Sequence, residues 1–451
     1  MFTRAVGIWS TNPTRLLQTS VIVVSLAGLV SPAFAITRCV NKDGSNGCST
    51  TISAAVAAAA AGDVINVWPG VYNEQVTITE PLSLISVRPL GAVIDATNLP
   101  NGIWVNGMSM APNPGVANVV ISGFKVRGAN LEGILLTNVT NVAVVGNEVS
   151  GNDASLSGGT CPGLPLFETN EAGDCGEGIH LMGTDHSTIL GNEVYGNAGG
   201  ILTSDETGPS VHNLIRENFV HDNSWDCGIT LASHAPSPTI KPTPKVSYGV
   251  GYNTISRNVS LRNGTITPGA GVGIFAPSPG TTDTGNVVIN NELIDNGSTG
   301  VAMHNHAAPP APAAPVNMND NVIVGNHFSG NGPDNPGAPT PGPTGINVSS
   351  KGLITGTVIS QNTFENEAIA VGFSAPAGSL AVHFNDFPGG IGIDNLSAIN
   401  TGTVDATENW WGCAGGPTGT HCATVQGSGV SSAPWLNSPY LNGSDAPYGH
   451  E

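Results

Sequence analysis

Asp205, Glu206, Asp226, His234, His304 and His306 are the residues of this chain whose types and placement fit catalysis. Glycoside hydrolysis needs a carboxyl acid facing a carboxylate base or nucleophile, and Asp205, Glu206 and Asp226 offer such a pair across neighbouring repeats. Elimination from a uronate needs a base at the α-proton and a cation or strong donor on the sugar carboxylate. The histidines supply that base, and Lys351 or a bound Ca²⁺ the cation. His304 and His306, two apart on one strand face, also have the spacing of a ligand pair or of a base and its orienter. Around them His180, Ser204, Thr230, Asn347 and Lys351 are expected to line the surface on which a substrate lies. The competing expectation is structural, with acids bonded to turn amides and histidines solvated or bonded locally, as His180 is to a turn holding Asp185 and His186.

These positions follow from a column of Gly-Ile or Gly-Val pairs at Gly133, Gly178, Gly200, Gly228, Gly273, Gly300 and Gly345. Each pair opens a strand. Alternation sends the first and third residues after the glycine inward, as Ile179/Leu181 and Ile229/Leu231, and the second, fourth and sixth outward. The same count points Cys227 inward as a buried free thiol. Insertions crowd this column, at 154–174, 264–270 and 333–343 before the strand and at 205–212, 235–247, 276–285 and 307–316 after it. A strand floor walled by loops on both sides makes a groove, and Pro-rich stretches such as APSPTIKPTPK are semi-rigid walls.

Asparagines mark the other turns. Asn147, Asn192, Asn218, Asn258, Asn291, Asn326, Asn362, Asn385 and Asn409 occupy one place in a repeated phrase. Asn152, Asn197, Asn223, Asn263, Asn296 and Asn331 follow five residues later, and Asn366 follows Asn362 after four. Spacings of 22 from Gly178 to Gly200 and 24 from Asn385 to Asn409 suit a coil of two or three short strands and no helical repeat. Asparagine tolerates left-handed backbone angles, and stacked copies can bond at the roughly 4.8 Å strand spacing. Over residues 50–430 the chain thus resembles the right-handed parallel β-helix superfamily. That superfamily holds pectate-lyase-like enzymes, polygalacturonase-like hydrolases, alginate epimerases and periplasmic copper-site maturation proteins. The resemblance implies an all-β, right-handed parallel β-helix (β-solenoid) with a short N-terminal capping helix. VINVWPGVYNEQVTI resembles the opening rung of such secreted proteins, and DATENWWGCAGGP their closing segment. The Asn-Thr-Asp, Asp-Asp and Gly-His-Gly set of the hydrolases and the Asp-Pro-His-Asp of the epimerases are missing, so the resemblance carries the fold and not the reaction.

Residues 1–35 read as a secretory signal, with Arg4 and Arg15, the apolar run Val21 to Val30, and Ala33-Phe34-Ala35 for cleavage. Residues 36–430 are expected to form the β-helix, its first coil capped by an alanine-rich helix within Thr51 to Asp63, and residues 431–451 a tail on or leaving the last coil. Trp410 and Trp411 are expected to pack in the terminal rung. Cys39/Cys48, Cys161/Cys175 and Cys413/Cys422 bracket short loops, as disulfides of an oxidising compartment do. Lys+Arg 13 against Asp+Glu 32 gives −19, which argues against nucleic acid and against long-range capture of polyanions. Nothing after the signal is long enough to span a membrane. The expected protein is a secreted or periplasmic monomer that binds a polysaccharide in the groove. It is a glycoside hydrolase or a polysaccharide lyase or epimerase, with calcium the candidate cofactor; a non-catalytic surface, adhesion or scaffold protein is the alternative.

Overall fold

The structure, a computed structural model, describes residues 35–169, 177–305, 316–334, 340–395 and 402–440. Within them short strands recur in a three-part cycle, and each pairs in parallel with its counterpart one coil later. Among the described residues three long sheets result, of 14, 10 and 12 strands. This is the predicted parallel β-solenoid. Its interior is built from columns of like side chains. Ile179 pairs with Ile134 on one side and Ile201 on the other, and the column runs on through Ile229, Val272, Val301 and Ile346. All of these are fully buried. Burying β-branched residues at every rung supplies the main driving force for stacking the coils.

The nine predicted asparagines form one unbroken ladder. Asn258 shows the pattern: its Oδ1 accepts from the Asn218 backbone N–H and Nδ2, and its own Nδ2 donates to Ile215 O and Asn291 Oδ1. The ladder runs from Asn147 to Asn409. Its cause differs from the expectation in one respect. The left-handed residue is the one before the asparagine, such as Gly146 (φ 62), Glu217 (φ 55), Arg257 (φ 54) and Phe384 (φ 60). The asparagine is there to bond the turn's buried amides. The second column is likewise continuous from Asn152 to Asn331, but Asn366 does not extend it. Asn366 takes the left-handed position (φ 56), and Glu367 Oε1 accepts from the Asn331 N–H and Nδ2 in its place. A third ladder was not predicted. Ser187, Asn213, Asn253, Asn286 and Asn321 bond in series at the turn that leads from the 12-strand sheet back to the 14-strand sheet. Its signal lies in the sequence, because Asn213, Asn253, Asn286 and Asn321 each stand five residues before a member of the first column.

The Gly-Ile strands form the 12-strand sheet, and close approach explains their glycine. A Cβ on Gly133 would sit 2.4 Å from a Val149 methyl and 2.6 Å from Asn152 Nδ2; on Gly178 it would sit 2.5 Å from Val194 and 2.7 Å from Asn197. At the amino end the helix spans Ile52–Ala57, shorter than the alanine-rich run, with Thr51 Oγ1 accepting from Ala54 N at 3.2 Å. Its Ile52 and Ala55 are buried in the core against the first coils. The helix stops at Ala57, and Asp63 begins the next strand, its carboxylate bonded to Ala60 N, Ile36 N and Arg38. Disulfides join Cys39 to Cys48 and Cys413 to Cys422, with Cα atoms 4.8 and 5.3 Å apart. The partner expected for Cys161, Cys175, lies outside the described residues. At the far end Trp411 is fully buried against Phe387, ring centres 5.1 Å apart.

Candidate active site

The outer face of the 12-strand sheet carries three columns of side chains. Counting by register, one holds Trp104, Leu135, His180, Leu202, Thr230, Gly273, Ala302 and Asn347. The next holds Ser204, Ala232, Phe275, His304 and Ser349. The predicted outward positions His180, Ser204, Thr230 and Asn347 are thus on one face. The third column precedes the glycines and holds Glu132, Glu177 and Cys227. Cys227 corrects an expectation. It is buried and free, but it packs with Ala270, Ala302 and Phe275 in a cluster separate from the interior, on the outer face. The glycine at the corner breaks strict alternation, so the residue before it does not point inward.

This face is covered, where an open groove was expected. The insertion carrying Leu166 to Thr169 lies over it: Phe167 stacks on Trp104 with ring centres 6.3 Å apart, and Thr169 N donates to Glu206 Oε1 at 3.4 Å. The loop after the strand Ile229–Ala232 meets it, Ser237 donating from N to Glu206 O (2.7 Å) and from Oγ to Leu166 O (3.4 Å). Beneath this roof runs a row of ionisable groups. His180, Glu132, Glu206 and His234 are all at most 4 % exposed. His180 Nε2 is 2.8 Å from Ser204 Oγ, and its Nδ1 is 3.5 Å from Glu132 Oε1 and 3.6 Å from Glu168 Oε1. On the next coil Glu206 Oε1 is 3.2 Å from His234 Nδ1.

Electrostatics divides these groups. Burial pushes Glu206 upward, yet the charges of His234 and His180 and a bond from Ser204 outweigh it and leave the carboxyl below its usual range. Burial and the neighbouring Glu132 push Glu168 well above the ordinary carboxyl range. Burial disfavours the His180 cation, but Glu132 and Glu168 outweigh it and raise that histidine well above its usual value. Asp205 is raised to about 7 by burial, with the Glu206 charge adding and the His234 and Gly249 amides opposing. Its Oδ1 accepts from His234 N at 2.6 Å and its Oδ2 from Ser233 Oγ at 3.1 Å and from Gly249 N.

The remaining expected residues lie apart. His304 is three strands from Ser204 in register, about 14 Å at the usual strand spacing. There it pairs with Asp334 behind the Phe275 ring, and Asn347 Nδ2 donates to the same carboxylate at 2.7 Å. Asp226 is displaced the other way. Register sets it beside Ala198, seven residues before Asp205 and on the order of 20 Å away along the strand. Lys351 is exposed beyond the strand Thr344–Ser349. His306 lies outside the described residues. The expectation of one cluster is therefore corrected: Asp205, Glu206 and His234 come together, His304 and Asp226 do not. Glu132, Glu168 and Asp334 were missed. Glu132 and Glu177 stand before the glycine in two copies of Glu-Gly-Ile, outside a count that began at the glycine. Glu168 and Asp334 come from insertions, where no register exists to place them.

A sequence model of a right-handed β-helix region matches residues 101–243. No curated protein sequence matches the chain. Among solved structures it is similar to the catalytic domain of a GH87 alpha-1,3-glucanase in complex with tetrasaccharides, at 12% identity and a TM-score of 0.54, covering 82% of this chain and 63% of that one. It is also similar to the Dettilon tailspike protein, at 15% identity and a TM-score of 0.51, covering 89% of this chain and 67% of that one. The chain therefore spans less than two thirds of the glucanase domain, and at these identities the likeness is one of fold. With parallel register through three sheets, two predicted asparagine ladders and these matches in agreement, the chain has the right-handed parallel β-helix fold, and residues 101–243 carry the sequence pattern of a right-handed β-helix region.

Proposed function

We propose that the protein cleaves a neutral carbohydrate polymer at the outer face of the Gly-Ile sheet, with Glu206 and His234 as its acid–base pair. The observation that carries this reading is the 3.2 Å Glu206–His234 contact, buried under two loops on a rigid sheet. Glu206 holds the His234 imidazole through Nδ1, and the other ring nitrogen delivers a proton to the leaving oxygen while water adds to the sugar carbon from the opposite face and loses its proton to solvent. Asp205 holds the His234 backbone and acts as a positioning residue, since its oxygens are taken up by N–H and O–H donors. Among the described residues the charged partners of this row are histidines. Arg216, Arg257 and Arg262 bond Glu217 and Asp222 on other turns, and Lys351 is remote. Hydrolysis of a neutral glycan asks for proton transfer and no cation on a substrate carboxylate, which is what Glu206 and His234 offer. The glucanase with the same fold, crystallised with tetrasaccharides, supports the substrate class. Two disulfides and the signal-like residues 1–35 support an exported protein.

Among the described residues the two loops meet through the Ser237 Oγ bond to Leu166 O, and a polymer enters as the loop after the strand Ile229–Ala232 parts from the insertion. That same cover favours a second reading, a β-helix that binds glycan on its exterior without cutting it. Incubating the purified protein with neutral and uronate polysaccharides separates the readings. Release of reducing ends from a neutral glycan supports hydrolysis. Unsaturated products, or binding with no cleavage, would reject it.

A further inference from the structure

Glu132, Glu168 and His180 present three donor atoms, one from each side chain, all within 4.8 Å of one another. Their side chains are 0%, 3% and 1% exposed. The Nδ1 to carboxylate distances of 3.5 and 3.6 Å are long for hydrogen bonds. They match the roughly 3.3 Å that separates two ligands bound tetrahedrally at about 2.0 Å to one ion. Glu132 Oε2 and Glu168 Oε2 are buried and have no hydrogen-bond partner among the described residues. On the far side of the ring, Ser204 Oγ at 2.8 Å can accept the Nε2 proton, which leaves Nδ1 free to ligate.

We infer that Glu132, Glu168 and His180 hold a divalent transition-metal cation, Zn²⁺ fitting best, which staples the insertion to the sheet. The donor set decides the metal class. One imidazole and two carboxylates suit Zn²⁺, whereas Ca²⁺ takes six to eight oxygens and no nitrogen. Two buried carboxylates face one histidine, and a dication balances them where water cannot reach. Glu168 is the only one of the three on the insertion; His180 lies in the strand Glu177–Met182, and Glu132 stands two residues before the strand Ile134–Thr137. Binding therefore fixes the segment whose Thr169 amide contacts Glu206.

The site is tested without any glycan, so its failure and that of the proposed activity are distinguishable. The full-length exported protein, stripped with chelator and dialysed, is titrated with Zn²⁺ by calorimetry and with Co²⁺ by visible absorbance. One equivalent should bind, raise the thermal midpoint and shift protease cleavage away from residues 154–169. E168Q, nearly the same size and on the insertion, should weaken binding at least 100-fold while keeping the β-rich circular dichroism spectrum. H180A should do the same, but its buried position makes E168Q the deciding variant. A folded wild type that binds no Zn²⁺, which would mean that protons alone balance the cluster, overturns the inference. So does binding that E168Q leaves intact, or a preference for Ca²⁺ over Zn²⁺.

Discussion

At the scale of single residues, the ladder's end is the most sensitive reporter of charge. Glu367 stands where an asparagine belongs, and burial raises it to about 7 while its bonds to Asn331 oppose the rise. A carboxyl raised in the folded state contributes stability that is full below its unfolded value and is lost as pH rises through about 7. E367Q should therefore match the wild type at pH 5 and exceed it at pH 8, by on the order of 2 kcal/mol. Thermal midpoints at the two pH values check this; an equal offset at both would contradict it. This residue also shows where the sequence could be misread. Asn366 looks like the next rung by type, but the turn's left-handed position must be filled first, and it takes that place. The same counting problem hid Glu132. Residue type identified Glu206 and His234 as chemistry, and the count of six from Gly200 and from Gly228 set them at matching places on neighbouring coils.

At the scale of the element, an asparagine ladder is a chain of buried amides in which each member satisfies two neighbours. N258A leaves the Asn218 N–H and Nδ2 without an acceptor and Ile215 O without a donor. The cost should be about 2–4 kcal/mol in chemical denaturation. An unchanged midpoint would show that water replaces the side chain. G178A should also destabilise, by about 1–3 kcal/mol, because its methyl meets Val194 and Asn197. These elements were legible because a solenoid repeats its reasons: each coil states the same turn and the same inward column. The insertions were legible only as loops. Their lengths and proline content gave walls, but that Leu166 and Ser237 meet over the floor depends on contacts that no period encodes. Hence the predicted groove is a covered row, and His304 belongs to a second, separate pair with Asp334.

At the scale of the whole molecule, charge and fold constrain what the row can meet. A chain of net charge −19 repels acidic polymers at long range, and salt screens exposed charges beyond about 8–10 Å. Glycan binding should accordingly change little between about 0.05 and 0.5 M salt. A steep salt dependence measured with an anionic polymer would place binding on a cationic patch instead. The β-helix itself decides no reaction, since many activities share it. What ties this chain to one is the Glu206–His234 pair, and the direct measurement is reducing-end release from a panel of neutral polysaccharides by wild type and E206Q. The wild type should cleave at least one of them, and E206Q, with an unchanged fold by circular dichroism, should lose about 100-fold or more of that rate. Full activity in E206Q, or no cleavage of any neutral glycan by the wild type, would contradict the account.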